Sequence, residues 1–128
     1  MTSDAVISEA QLTQTIIEMG RALGFLVYHT GDSRRSEPGV PDLLMVSQPP
    51  MRPRVIFMEL KKTKGRLTKG RLSPRTGRYL PGQEDWFNAL YRCDVRRSAS
   101  EGSMVEVYLV RPGDMDGVEG FLRDGEDA

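Results

Sequence analysis

Asp42, Glu59 and Lys61 are the residues whose types and spacing could do chemistry. Asp42 follows Pro41 and opens the apolar run Leu43-Leu44-Met45-Val46, while Glu59 and Lys61 close a second run that begins Val55-Ile56-Phe57-Met58. Two carboxylates held close repel, so each resists ionising unless a cation joins them. Mg2+ is the natural partner: a hard ion that takes oxygens from one or two carboxylates and leaves places for water and phosphate. An ammonium on the same face can orient a water and offset charge on a phosphate. The chemistry these residues suit is the binding of a hard cation beside water and phosphate.

Two short strands must position them. Both runs are rich in strand-favouring residues, and Gly39, Pro41 and the Pro-rich break from Gln48 to Pro53 bound them with punctuation that interrupts helices. A side-chain period of two puts Val55, Phe57, Glu59 and Lys61 on one face of the second strand and Ile56, Met58 and Leu60 on the other. Asp42 joins the site if the neighbouring strand brings it to the same edge.

The preceding elements frame that edge. Ser8 with Gln11 three residues later reads as a capping box, and Leu12, Ile16, Met19 and Leu23 form the core stripe of a helix ending before Gly24. Glu9 lies on the inward side of that helix, where it serves either the helix dipole or the site. A strand from Phe25 to Thr30 places Phe25, Val27 and His29 on one side, and His29 reads as a hydrogen-bonding group before a general base. Arg34 and Arg35 stand in a polar loop just before Asp42, positioned to grip phosphate or to face solvent.

Beyond the second run the charge is one-sided. Lys61, Lys62, Lys64, Arg66, Lys69, Arg71, Arg75 and Arg78 occur with no acidic residue among them, although the net charge of the 128-residue chain is zero. Local charge sets the field that a phosphate backbone feels. Gly65 and Gly70 have the spacing of a phosphate loop, but Arg71 and Leu72 stand where that motif needs Lys and then Ser or Thr. A flexible basic flap against nucleic-acid backbone, or a solvated loop, fits this segment better. A helix follows from Gln83 to about Arg92, with Trp86, Phe87 and Leu90 on its apolar side and Gln83 on the same inward face; Trp86 reads as core. Cys93, the only cysteine, reads as a small buried hydrophobe and excludes both an intrachain disulfide and a cysteine zinc cluster. Met104 to Val110 alternates as a last strand, and Asp114 caps a short helix through Leu122 before an acidic tail.

Taken in order, Ser8-Glu9, Gly39-Val40-Pro41-Asp42-Leu43, Glu59-Leu60-Lys61 and Gln83 resemble the motifs of the virus-type replication-repair nuclease domain of the PD-(D/E)xK nuclease superfamily. The resemblance covers the chain from about Ser8 to about Pro112. It implies an α/β fold with a restriction-endonuclease-like core (αβββαβ), a mixed sheet flanked by helices, in a single domain over residues 1–128. It also implies a metal-dependent endonuclease acting on DNA, selective for four-way junctions or other branched DNA, working as a homodimer in repair or replication. Asp42, Glu59 and Glu9 would hold Mg2+ or Mn2+ together with the backbone carbonyl of Leu60, Lys61 would serve the attacking water, and Gln83 would position Lys61 or that water. Lys62, Lys64, Arg66, Lys69 and Arg71, with Arg34 and Arg35, would contact nucleic acid. A bacterial or bacteriophage protein in the host cytoplasm suits this reading.

Two other classes compete with it. One is a non-catalytic nucleic-acid-binding module on the same fold; the other is an interaction protein in which Glu59 and Lys61 are a surface strand pair. No apolar run approaches the ~20 residues that a membrane span needs, and the N-terminus has no basic segment leading into an apolar one.

Overall fold

A computed structural model describes residues 8–30, 39–94 and 104–124. The lead-in 1–7, Arg34 and Arg35 with the loop around them, Arg96 and Arg97, and the acidic tail beyond 124 lie outside the described residues. Helix α1 runs Glu9–Ala22, followed by strands β1 (Leu26–His29), β2 (Leu43–Val46) and β3 (Val55–Leu60). The basic segment holds β4 (Arg71–Leu72) and β5 (Tyr79–Leu80), and then come α2 (Gln83–Cys93), β6 (Val105–Val110), a 3-10 turn at Pro112–Asp114 and α3 (Met115–Asp124). The result is a mixed α/β fold.

The capping box forms as its spacing predicts: Gln11 N–H donates to Ser8 Oγ at 3.0 Å, and Ser8 N–H donates to Gln11 Oε1 at 2.8 Å. Between them they satisfy two of the backbone donors that a helix start leaves without partners. Helix α1 buries Leu12, Ile16 and Ile17, while Met19 and Leu23 are only partly covered.

The main sheet has strand order β1-β2-β3-β6. Its first two pairings are antiparallel, and β6 runs parallel to β3 with Glu59 opposite Leu109 and Leu60 opposite Val110. Alternation along β3 holds. Ile56, Met58 and Leu60 point into a core shared with Leu43, Met45, Tyr108 and Val110 and closed by α1 and α3. The opposite face, carrying Val55 and Phe57, is half-buried, and α2 lies on that side. No side chain of α2 is fully buried, so Trp86 is a half-covered packing residue rather than part of the closed core. Cys93, expected to be buried, is exposed: it is the last residue of α2, three positions beyond half-buried Leu90, and it is the next residue, Asp94, that turns inward, fully buried and bridged to Val105 of β6.

One polar cluster is sealed inside the core. Arg54 donates from Nε and Nη2 to the two carboxylate oxygens of Glu106 at 2.6 and 2.7 Å. The remaining guanidinium donors reach the carbonyls of Leu122 at 2.5 Å and Phe121 at 2.8 Å, and Tyr108 O–H donates to Glu106 at 2.7 Å. The fork satisfies every charge it buries. It also ties the end of α3 to the strands beneath, where Phe121 stacks on Tyr108 with ring centroids 3.9 Å apart.

Candidate active site

The site assembles at the end of β3, where the residue before β2 and the first residue of α2 both reach it. Antiparallel pairing sets Leu43 opposite Met58, so Asp42, one residue before β2, falls beside the last residues of β3. Asp42 Oδ2 accepts a hydrogen bond from the backbone N–H of Leu60 at 2.8 Å. Leu60 thus meets Asp42 through its amide, a contact the sequence does not announce. Gly39, in the segment leading to Asp42, has φ +86°, and a Cβ there would lie 2.6 Å from the carbonyl oxygen of Gly82 and 2.9 Å from the Trp86 ring. Glycine is needed both for that backbone conformation and for the close approach to the start of α2.

Glu59 is the centre of the arrangement. It is only 2% exposed, although it stands on the otherwise half-covered face of the sheet. Gln83, the first residue of α2, donates a short hydrogen bond from Nε2 to Glu59 Oε1. Glu59 Oε2 is buried and has no hydrogen-bond partner. Burial pushes the Glu59 carboxyl up to about 8; the Asp42 carboxylate and, to a smaller extent, Glu9 push in the same direction, while Lys61 and the Asp42 backbone amide oppose them. Glu9, half-buried in the first turn of α1, and Lys61, half-buried just beyond β3, are therefore both within electrostatic reach of Glu59.

Gln83 is held from the other side by the basic segment. Its Oε1 accepts from Thr68 N–H at 3.0 Å, and its own N–H donates to Thr68 Oγ1 at 3.1 Å. Thr68 O accepts in turn from Glu84 N–H at 2.9 Å, and a Cβ on Gly82 would come within 2.5 Å of that oxygen. Thr68 is a site residue that sequence reasoning passed over, because a lone threonine among lysines carries no motif. Arg111 is another. Its Nη1 donates to the carbonyls of Gly65 at 2.6 Å and Lys62 at 2.8 Å, fixing the turn that follows Lys61.

The basic segment differs from the flexible flap its composition suggests. Residues 71–72 pair with residues 79–80 as a separate two-stranded sheet. The turn chemistry was present in Ser73-Pro74 and Gly77, between Leu72 and Tyr79. Lys62, Lys64, Arg66, Lys69 and Arg71 are all exposed, and none has an ion-pair partner among the described residues. His29 is exposed at the end of β1.

The donor set suits a small hard cation in one respect: a buried, unpartnered carboxylate oxygen on Glu59 close to a second carboxylate is a place where positive charge is missing. Among the described residues no group of three His, Cys, Asp or Glu side chains is close enough to hold a metal ion by itself. Comparison of the chain with family models, with curated proteins and with solved structures found no match.

Proposed function

We propose that this chain is a Mg2+- or Mn2+-dependent endonuclease that hydrolyses phosphodiester bonds in DNA on a restriction-endonuclease-like core, as the PD-(D/E)xK resemblance implies. The observation that carries the reading is Glu59: a carboxylate sealed beside Asp42, one oxygen taken by Gln83 and the other without a partner, with Lys61 near it. Keeping a carboxyl buried with one oxygen unpaired and its charged form disfavoured is costly, and groups perturbed in this way cluster at functional sites.

Asp42 and Glu59, with Glu9 and the Leu60 carbonyl as further donors, are the residues that would hold the cation. Bound there, it would polarise the scissile phosphate and lower the pKa of the attacking water. Lys61 Nζ would hydrogen-bond that water or a non-bridging phosphate oxygen and offset the charge that develops. Gln83 would hold Glu59 in place, as Arg111 would hold the turn after Lys61. Branched DNA is the substrate the resemblance favours, and a homodimer would supply two symmetric cuts.

The test is cleavage of a labelled four-way junction, a matched linear duplex and a single strand in Mg2+ and in Mn2+. Asp42→Ala and Lys61→Ala should each lower the rate by at least about 100-fold, and Lys61→Arg should not restore it, because the planar fork cannot replace a compact ammonium. A non-catalytic nucleic-acid-binding module is the second reading, favoured by a Glu59 that is largely neutral near pH 7 and already bonded to Gln83. DNA binding without cleavage in either metal, unchanged by both alanine variants, would establish it instead.

A further inference from the structure

We propose that the β4–β5 hairpin is an arm that enters a groove of double-stranded DNA, with Arg75 and Arg78 at its tip set against backbone phosphates. The inference rests on the reading above that nucleic acid is the substrate, and it selects duplex DNA from that class.

The hairpin stands away from the core. Its strands pair only with each other, residues 74–79 are all exposed, and Leu72 and Tyr79, directly opposite one another, are 66% and 53% exposed. An isolated two-stranded ribbon is marginal in water. This one is ordered by bonds of its own: Ser73 N–H donates to Arg78 O at 2.8 Å, Gly77 N–H donates to Ser73 O at 2.8 Å, and Arg78 N–H donates to Thr76 Oγ1 at 3.2 Å. Gly77 takes the left-handed turn position at φ +74°. The tip therefore presents Arg75 and Arg78 in a fixed frame, and neither has an acidic partner among the described residues.

The root is tied to the site. Tyr79 O–H donates to Asp85 Oδ2 at 2.8 Å, and Gly82 N–H donates to the same oxygen at 2.9 Å. Asp85 thus joins the hairpin to the first turn of α2, the turn whose Gln83 bonds Glu59. An arm anchored there sets a constant reach between its phosphate-binding tip and the carboxylates.

Shape decides the partner. A major groove about 12 Å wide admits a two-stranded ribbon. Single-strand binders present aromatic platforms on which bases stack, and the hairpin has one aromatic ring, its hydroxyl already bonded to Asp85. The major groove of an RNA duplex is too deep and narrow for side chains to read. Exposed Leu72 would then meet the sugar edge or a thymine methyl.

Binding can be measured by fluorescence anisotropy in the full-length Asp42→Asn protein. The ligands are a labelled DNA duplex, the matching single strand and an RNA duplex of the same sequence, each at several salt concentrations. The DNA duplex should bind tightest. Changing Arg75 and Arg78 together to Ala should weaken it by at least about tenfold and reduce the salt slope by about 2, one for each phosphate that is no longer neutralised. The corresponding double Lys variant should retain most of the affinity, and thermal unfolding should be unchanged in both, since the tip bears on no core residue. Unchanged duplex affinity and slope in the double Ala variant would overturn the arm while leaving cleavage by the parent intact. Tighter binding to the single strand or to the RNA duplex would overturn the choice of groove. No binding to any of the three, with no cleavage by the parent, would overturn the nuclease reading itself.

Discussion

Glu59 imposes a pH dependence whose sign follows from its surroundings. Its carboxyl is raised from an ordinary 4.5 to about 8 in the fold. The folded state therefore holds a proton that the unfolded chain releases, and the associated stability is complete below pH about 4.5 and is lost as pH rises through about 8. In chelator-treated protein, denaturation midpoints should fall across that window, and Glu59→Gln should flatten the fall. Equal slopes in parent and variant would show that Glu59 titrates normally. Asp85 responds in the opposite sense, because the Gly82 amide and then the Tyr79 hydroxyl stabilise its charged form. The gathering of Asp42, Glu59 and Lys61 at one end of β3 was legible from residue type and a period of two, since that period alone puts Glu59 and Lys61 on one face. Thr68 and Arg111 were not, because each acts through backbone groups brought near it only by the fold.

At the scale of elements, the Arg54–Glu106 fork is the cluster whose removal should matter most to stability. Replacing Glu106 with Leu leaves a buried guanidinium without its counter-ion and should cost about 3–5 kcal/mol. The double change Arg54→Met with Glu106→Leu should recover part of that deficit, because no charge is left buried, while the Tyr108 hydroxyl and the Phe121 and Leu122 carbonyls lose these bonds. Urea denaturation of the parent and the two variants checks this, and a double variant no better than the single would assign the deficit to packing and to the groups left unpaired. Sequence patterning found α1, β2, β3 and β6 because apolar periodicity carries them. It missed the hairpin, whose strands are two residues each and have no periodicity to show. It placed Cys93 wrongly because a helix stripe does not reveal which residue at the helix end turns inward, and here that residue is Asp94.

For the whole molecule, β1 is one of the two edge strands of the main sheet among the described residues, and its Leu26 and Tyr28 are 57% and 61% exposed. An edge strand with exposed apolar side chains invites pairing with another chain. If the proposed homodimer uses it, Leu26→Glu with Tyr28→Glu should convert a dimer to a monomer in sedimentation velocity without a change in helix content. A dimer that survives both charges would have to use another surface. No helix among the described residues is long and apolar enough to cross a membrane. Apart from the β4–β5 hairpin, the order of elements was readable from the sequence, but the sheet order was not, because the parallel placement of β6 beside β3 depends on residues far apart in the chain.

The carbonyls of Phe121 and Leu122 that receive the Arg54 guanidinium make α3 a component of the interior rather than an appendage. Protein engineering would meet this directly. Cutting the chain back to Gly120 would leave a dry cation with half its acceptors and an unroofed Tyr108, so such a truncation should fail to accumulate as folded protein. A fusion inserted after residue 124 would leave the fork untouched.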